Sequence, residues 1–146
     1  MKAVEASVSV RYAETDQMGV VYHANYYVWF EVGRSEFFDA IGLPYADMEK
    51  DGIFLPVIEC FCRYKRSARY GDRIKVKTRV VEIKPTRVKL AYEIFREGDG
   101  VLLAEGYTEH AFTGKDGRPV NLKKSHPEVW NTLVKGIGQL GLNESV

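Results

Sequence analysis

The sequence predicts an α+β domain in which a curved antiparallel sheet of five or six strands wraps one long helix, with a second helix on the surface. Three observations predict it. Residues 25–42 read as a helix that is apolar around most of its circumference: Tyr26, Phe30, Gly33, Phe37, Ala40 and Ile41 share one face, and Val28, Trp29, Val32 and Phe38 extend the apolar surface beyond it. Further segments alternate apolar and polar residues with the period of two that marks a half-buried strand. The chain has 146 residues, 45% of them hydrophobic, which is one domain with a substantial core. A single helix of this kind needs a sheet to cover it.

Each element carries its own signal. Residues 4–11 set Val4, Ala6, Val8 and Val10 against Glu5, Ser7, Ser9 and Arg11, a half-buried strand. A glycine-containing loop follows. Asn25 is a good N-cap for the long helix, and Gly42 followed by Leu43-Pro44 is a helix stop. Residues 53–66 form a long extended run that ends basic. Residues 73–83 set Ile74, Val76, Thr78 and Val80 against Lys75, Lys77 and Arg79. The doublet Val80-Val81 switches that parity and predicts a bulge or burial on both faces. Lys84-Pro85-Thr86 reads as a tight turn into a strand over 87–96, and Glu97-Gly98-Asp99-Gly100 as another into a strand over 101–113. Lys115-Asp116-Gly117-Arg118 is a hairpin signal. His126-Pro127 opens a C-terminal helix whose apolar face carries Val129, Leu133, Ile137 and Leu140.

The expected order is therefore a strand, a buried helix, four consecutive antiparallel strands and a surface helix. No repeat, low-complexity tract or linker divides the chain, so residues 1–146 read as a single domain. One buried helix leaves the other face of the sheet under-covered. Phe61, Val81, Phe95 and Tyr107 have candidate positions there, which predicts oligomerisation through the sheet or its edge.

Bulk properties exclude several function classes. Twenty-one basic residues nearly balance twenty acidic ones, so net charge gives no reason to expect nucleic acid or a membrane surface as partner. The N-terminus lacks the apolar core of a signal peptide, and no run approaches the ~18 apolar residues of a membrane span. Cys60 and Cys62 lie two apart in a strand and share one face, where a bridge between them is geometrically poor. No second pair completes a zinc site. These features read as structural thiols in a reducing, cytoplasmic setting.

The chemistry concentrates in the loop before the long helix. Within residues 11–27 stand one candidate acid, Asp16, and one histidine, His23, just ahead of a helix N-terminus. That helix end supplies free backbone N–H groups and partial positive charge. Glu14 reads as a solvated loop residue, and Glu31 and Glu36 as structural. His110 and His126 have no partner pattern. No HExxH, P-loop, GxGxxG or GxSxG motif is present.

The order of elements resembles the hotdog fold. Tyr12, Thr15, Asp16, Gly19, Val21, Tyr22, His23, Asn25 and Tyr26 resemble the 4-hydroxybenzoyl-CoA thioesterase family, and within it the YbgC-like branch of short acyl-CoA thioesterases. The resemblance covers roughly residues 5–125. The segment from Tyr64 to Asp72 matches a second family feature, with Ser67 standing where that family usually has proline. The resemblance implies hydrolysis of acyl-CoA thioesters to free CoA and a carboxylic acid, without metal or organic cofactor. It places on Asp16 the role of nucleophile or general base at the thioester carbonyl. It makes the backbone N–H of His23 a candidate oxyanion donor. It also implies a homodimer whose interface completes each site, often paired into a homotetramer.

Elementary chemistry agrees with that placement. A thioester carbonyl develops negative oxygen in its tetrahedral transition state, and fixed N–H donors meet that charge without reorganising. Thiolate is a good leaving group, so a weak carboxylate base or nucleophile suffices. The His23 side chain could position water or bond the acyl group. Tyr22 and Asn25 are candidate substrate contacts, Asn25 alternatively only a cap. Arg63, Lys65, Arg66 and Arg69 could bind the phosphates of CoA or could be a solvated basic strand end. Tyr22, Tyr26, Tyr27, Trp29 and Phe54 fit an aryl or a fatty-acyl pocket equally. Two other readings stay open at this point: a hotdog hydratase or dehydratase acting on acyl-CoA or acyl-ACP, and a non-catalytic acyl-CoA-binding module.

Overall fold

The computed structural model describes residues 3–140. The elements run β1 (Val4–Ser9), a 3-10 turn (Tyr12–Glu14), α1 (Asn25–Ala40), α2 (Tyr45–Lys50), β2 (Val57–Tyr64), β3 (Arg73–Lys84), β4 (Arg87–Arg96), β5 (Leu102–Ala111), α3 (Leu122–Ser125) and α4 (Pro127–Gln139). The five strands form one antiparallel sheet in the order β1-β3-β4-β5-β2. Strand parity builds its inner face: Ile74, Val76, Thr78 and Val80 of β3 and Val88, Leu90, Tyr92 and Ile94 of β4 are all buried. The register shifts between Val80 and Glu82, the bulge that the valine doublet predicts, and burial resumes at Ile83.

Helix α1 lies across this inner face. Phe30 stacks on Tyr92 with ring centroids 4.3 Å apart. Gly33 sits where a Cβ would meet Val76 Cγ1 at 2.7 Å and crowd Thr78 Oγ1, so glycine is what lets the helix approach β3 so closely. Trp29, Phe37 and Phe38 are also buried, and full burial of one such side chain stabilises by roughly 1.5–3 kcal/mol. The helix is not covered all round, however. Val28 is half exposed and Ala40 is exposed. At the far end of α1, α4 buries Leu133 and Ile137, and its Gly136 packs on Ile41.

Two expectations need correction, and one element is new. The later strands are not one meander: β2 pairs with β5, with Tyr64 opposite Ala104, and segment 65–72 carries the chain to the other side of the sheet. This order puts β1 and β2, the strands flanking α1 in sequence, at opposite edges. The extended run over 53–66 contributes a strand only from Val57, because Pro56 has no N–H to donate to a ladder; Phe54 instead makes an isolated bridge with Thr113. Helix α2 is an element that periodicity does not announce. The outer face carries the aromatic residues expected there, with Phe61 stacked on Tyr107 at 5.7 Å and lysines over Tyr107 and Phe95 at 4.1 and 4.9 Å. Cys60 and Cys62 are free thiols.

Candidate active site

The loop between β1 and α1 is held by Glu14. Contrary to its reading as solvated, Glu14 is buried, at 4% exposure. Its Oε1 accepts the Arg11 N–H at 2.8 Å and its Oε2 accepts the Trp29 Nε1–H at 3.2 Å. Its backbone carbonyl accepts the Tyr22 N–H at 2.8 Å and the Asn25 side-chain N–H at 2.9 Å. A carboxylate is buried here because donors meet it on both sides. Both ends of the loop are thereby clamped to one residue. Asn25 is correspondingly the first residue of α1 rather than its cap, which is Ala24 without a side-chain hydrogen bond.

Inside that clamp, residues 16–20 form a tight turn. The Asp16 N–H donates to the Val20 carbonyl at 2.9 Å, and the Gly19 N–H donates to the Asp16 carbonyl at 3.0 Å. Gly19 has φ of 77°, a region that side-chain-bearing residues rarely adopt. Asp16 Oδ1 accepts the Met18 N–H at 2.9 Å, which fixes the carboxylate in an Asx turn. Its Oδ2 makes no hydrogen bond among the described residues.

The start of α1 faces the same space. The Asn25 and Tyr26 N–H groups donate to the carbonyls of Tyr22 and His23, while the N–H groups of His23 and Ala24 have no acceptor among the described residues. Such orphan donors are what a helix N-terminus offers to a negative oxygen. The Tyr64 hydroxyl donates to the His23 carbonyl at 3.0 Å, and its ring meets Tyr26 edge-on at 5.0 Å. Burial, with the neighbouring Cys62 adding to it, pushes the Tyr64 phenol well above its ordinary range, so it remains a donor. A cavity of about 260 Å³ lies between these parts, lined by Asp16, Met18, Val20, His23, Tyr26 and Tyr64, with Lys65 and Arg66 at its side. That is smaller than the pockets that enclose drug-sized ligands, so one chain offers room for a reacting carbonyl but not for a long acyl-CoA.

Comparison with known proteins gives this geometry a family. The profile of the thioesterase-like superfamily matches residues 10–131. The chain belongs to that superfamily. It is 37% identical over 133 residues to YneP of Bacillus subtilis, a candidate acyl-CoA thioesterase, covering 90% of this chain and 95% of the relative. It is 33% identical over 86 residues to the acyl-CoA thioesterase YbgC of Helicobacter pylori, covering 59% of this chain and 62% of that one. The crystal structure of a DHNA-CoA thioesterase from Staphylococcus aureus superposes with a TM-score of 0.88 at 38% identity, covering 99% of this chain and 98% of that one. The fold is the hotdog fold, and this member of the superfamily is a thioester hydrolase. Hydration chemistry and a purely binding role fit that membership less well.

Within this enzyme the residues singled out by sequence part company. Asp16, His23, Lys65 and Arg66 line one cavity. Tyr22 stands exposed beside it, its ring 4.5 Å from that of His23. Asn25 is spent on the Glu14 carbonyl behind the cavity wall. Arg63 projects from the outer face beside the Phe61 ring at 5.7 Å, because alternation along β2 gives residues 61 and 63 the same side. Arg69 braces the Asp16 loop instead, its Nη1 reaching the Gly19 carbonyl at 3.5 Å and its N–H donating to Asp72 at 2.9 Å. The four basic residues are therefore not one cluster. Sequence reasoning missed Tyr64, whose parity with Cys60 and Cys62 points it towards α1.

Proposed function

We propose that the enzyme hydrolyses acyl-CoA thioesters, with Asp16 as nucleophile or general base and the N-terminus of α1 as the oxyanion site. One observation carries this reading. An anchored carboxylate with an uncommitted oxygen shares a cavity with the start of α1, where the His23 and Ala24 N–H groups lack acceptors. As base, Asp16 takes a proton from water while the oxygen attacks the carbonyl carbon. The tetrahedral oxyanion rests on the helix N–H groups, the C–S bond breaks, and the proton passes to the departing thiolate. As nucleophile, Asp16 attacks the carbonyl carbon and displaces the thiolate, forming a mixed anhydride that water then cleaves. Either route is completed by the chain's own groups and water, with no metal or organic cofactor. Tyr64 holds the His23 carbonyl and so fixes the turn that presents the oxyanion donors. The exposed Arg66 and Lys65 are placed to meet CoA phosphates, although Lys65 also pairs with Glu105 at 3.5 Å. CoA as the thiol carrier is favoured by the names of the relatives.

The same reading extends to assembly and location. A homodimer forms through the β2 edge, and the aromatic outer face around Phe61 and Tyr107 pairs dimers into tetramers. Free thiols suit a reducing, cytoplasmic compartment.

The test is thiol release across short, long and aromatic acyl-CoAs. Asp16→Asn and Asp16→Ala should each lower kcat/KM by about 10²–10⁴-fold, the range of a lost general base. Wild-type kcat/KM in both variants would overturn the assignment. In a single turnover in ¹⁸O-water, an unlabelled first acid identifies a nucleophilic Asp16 whose anhydride is cleaved at its own carboxyl carbon, whereas a labelled acid fits a general base or cleavage at the acyl carbon.

A further inference from the structure

A second cavity, of about 490 Å³, lies against the C-terminal half of α1. Phe54 and Leu55 give it apolar walls, Glu31 and Glu49 stand exposed at its rim, and Arg34 opens into it. Arg34 is only 9% exposed. Its Nε donates to the Tyr45 hydroxyl at 2.7 Å and its Nη1 to the Tyr92 hydroxyl at 3.2 Å. Tyr92 is bonded in turn to Thr108, and Thr108 to His110 Nε2 at 2.8 Å. The guanidinium plane is thus fixed between Tyr45 of α2 and a chain of side chains rooted in the sheet.

Two features of Arg34 go beyond packing. Among the described residues no carboxylate pairs with it. Its Nη2 makes no hydrogen bond among them either, yet is not sealed from solvent. A guanidinium stays charged and offers five N–H donors in one plane. Burying it without a counter-charge is unfavourable, and a hydrophobic residue of the same volume would pack at less cost. The uncommitted donors face the cavity.

We propose that Arg34 binds an acceptor oxygen carried by the acyl group of the substrate, and does so across a dimer interface from Asp16. The proposal rests on the acyl-CoA thioesterase reading. Within one chain His23 and Arg34 are about 16 Å apart along α1, at 1.5 Å per residue. Across a dimer they come together. Residues 54–56 lead directly into β2, and residues 65–67 follow it directly. Antiparallel pairing of two β2 edges about a two-fold axis sets the start of one strand beside the end of the other. The small cavity holding Asp16 then abuts the larger cavity holding the partner's Arg34.

The experiment compares matched acyl-CoAs with and without a distal oxygen: succinyl against butyryl, adipyl against hexanoyl, and ring-hydroxylated benzoyl against benzoyl. The first two pairs report a carboxylate and the third a hydroxyl. Wild type should favour the oxygenated member of at least one pair by about 10-fold or more in kcat/KM, since an unmatched buried donor discriminates strongly. The matching non-hydrolysable CoA thioethers should show the same preference in calorimetric binding, which needs neither turnover nor a variant. In Arg34→Met the preference should collapse towards parity. Mixed dimers of Asp16→Asn and Arg34→Met should regain selective turnover, because one of their two sites is then intact. Equal rates and equal thioether affinities in every pair would overturn the role of Arg34 while leaving thioester hydrolysis standing. Preference without recovery in mixed dimers would overturn the shared site. Neither turnover nor thioether binding would overturn the thioesterase reading and this proposal with it.

Discussion

Glu14 places Asp16 without being part of the reaction. It is a positioning residue, because its contacts are the Arg11 and Tyr22 N–H groups, the Trp29 indole and the Asn25 amide. Replacing it with alanine leaves the Trp29 Nε1–H and the Arg11 N–H without their acceptor. Hydrogen bonds to a charged group are worth about 1.5–3 kcal/mol each. Glu14→Ala should therefore lower stability in urea unfolding by about 2–4 kcal/mol. It should also lower kcat more than it raises KM, since the loop orients Asp16 instead of gripping CoA. Unchanged stability would show that the buried carboxylate is dispensable. Asp16 and His23 stand out in the sequence because their neighbours within a dozen positions form one recognisable run. Glu14 does not, because its burial depends on Trp29, fifteen residues away on the helix. The contact of Arg69 with the Asp16 loop is not legible for a similar reason: the carbonyl it reaches belongs to Gly19, fifty residues earlier.

At the scale of elements, α1, β4 and β5 are tied by the polar chain from Arg34 through Tyr92 and Thr108 to His110. The His110 Nδ1–H donates to the Leu55 carbonyl at 3.0 Å, so its Nε2 accepts from Thr108. A second proton has no place in that arrangement. Burial first, and then the nearby Arg34 charge, push the His110 pKa down from 6.5 to about 4, against the opposing effect of the Leu55 bond. The sign follows from the unfolded chain, which binds this proton near pH 6.5. Above that pH the neutral imidazole contributes its full stability. Between about 6.5 and 4 only the unfolded state takes up the proton, and stability falls as pH falls, by about 3 kcal/mol over the window. Unfolding free energies measured between pH 7 and 4 should therefore show a steeper acid slope in wild type than in His110→Gln. The difference should approach 1.4 kcal/mol per pH unit; parallel slopes would place His110 outside this linkage. The strands that carry this chain were legible because alternation is a property of adjacent residues. The crossing of β2 to join β5 was not, because strand order depends on which edges meet. Helix α2 escaped notice because its six residues make little more than one turn and bury only Met48.

The molecule as a whole has an unfinished edge. Strand β2 ends the sheet on one side, and Val57, Ile58, Phe61 and Tyr64 along it are 50%, 49%, 41% and 43% exposed. On α1, Val28 is 48% exposed. An apolar edge strand with unpaired N–H and C=O groups is a template for pairing, and native proteins either protect it or use it. No proline or lysine interrupts β2, and its one acidic residue, Glu59, is engaged by the Tyr107 hydroxyl. Use is the better account, and a second copy is the partner that the small Asp16 cavity also needs. Wild type should sediment as a dimer or a multiple of it. Ile58→Asp replaces apolar edge surface with a charge that pairing of two β2 strands must desolvate, and should weaken association by at least about 100-fold, roughly 3 kcal/mol. Stability of the isolated fold should change little, because Ile58 is already half in solvent. Activity should follow the dimer population: diluting Ile58→Asp should lower specific activity at concentrations where wild type holds constant. A monomeric variant with undiminished kcat/KM would mean that one chain holds the whole site, and the two cavities along α1 would then have to serve separate purposes.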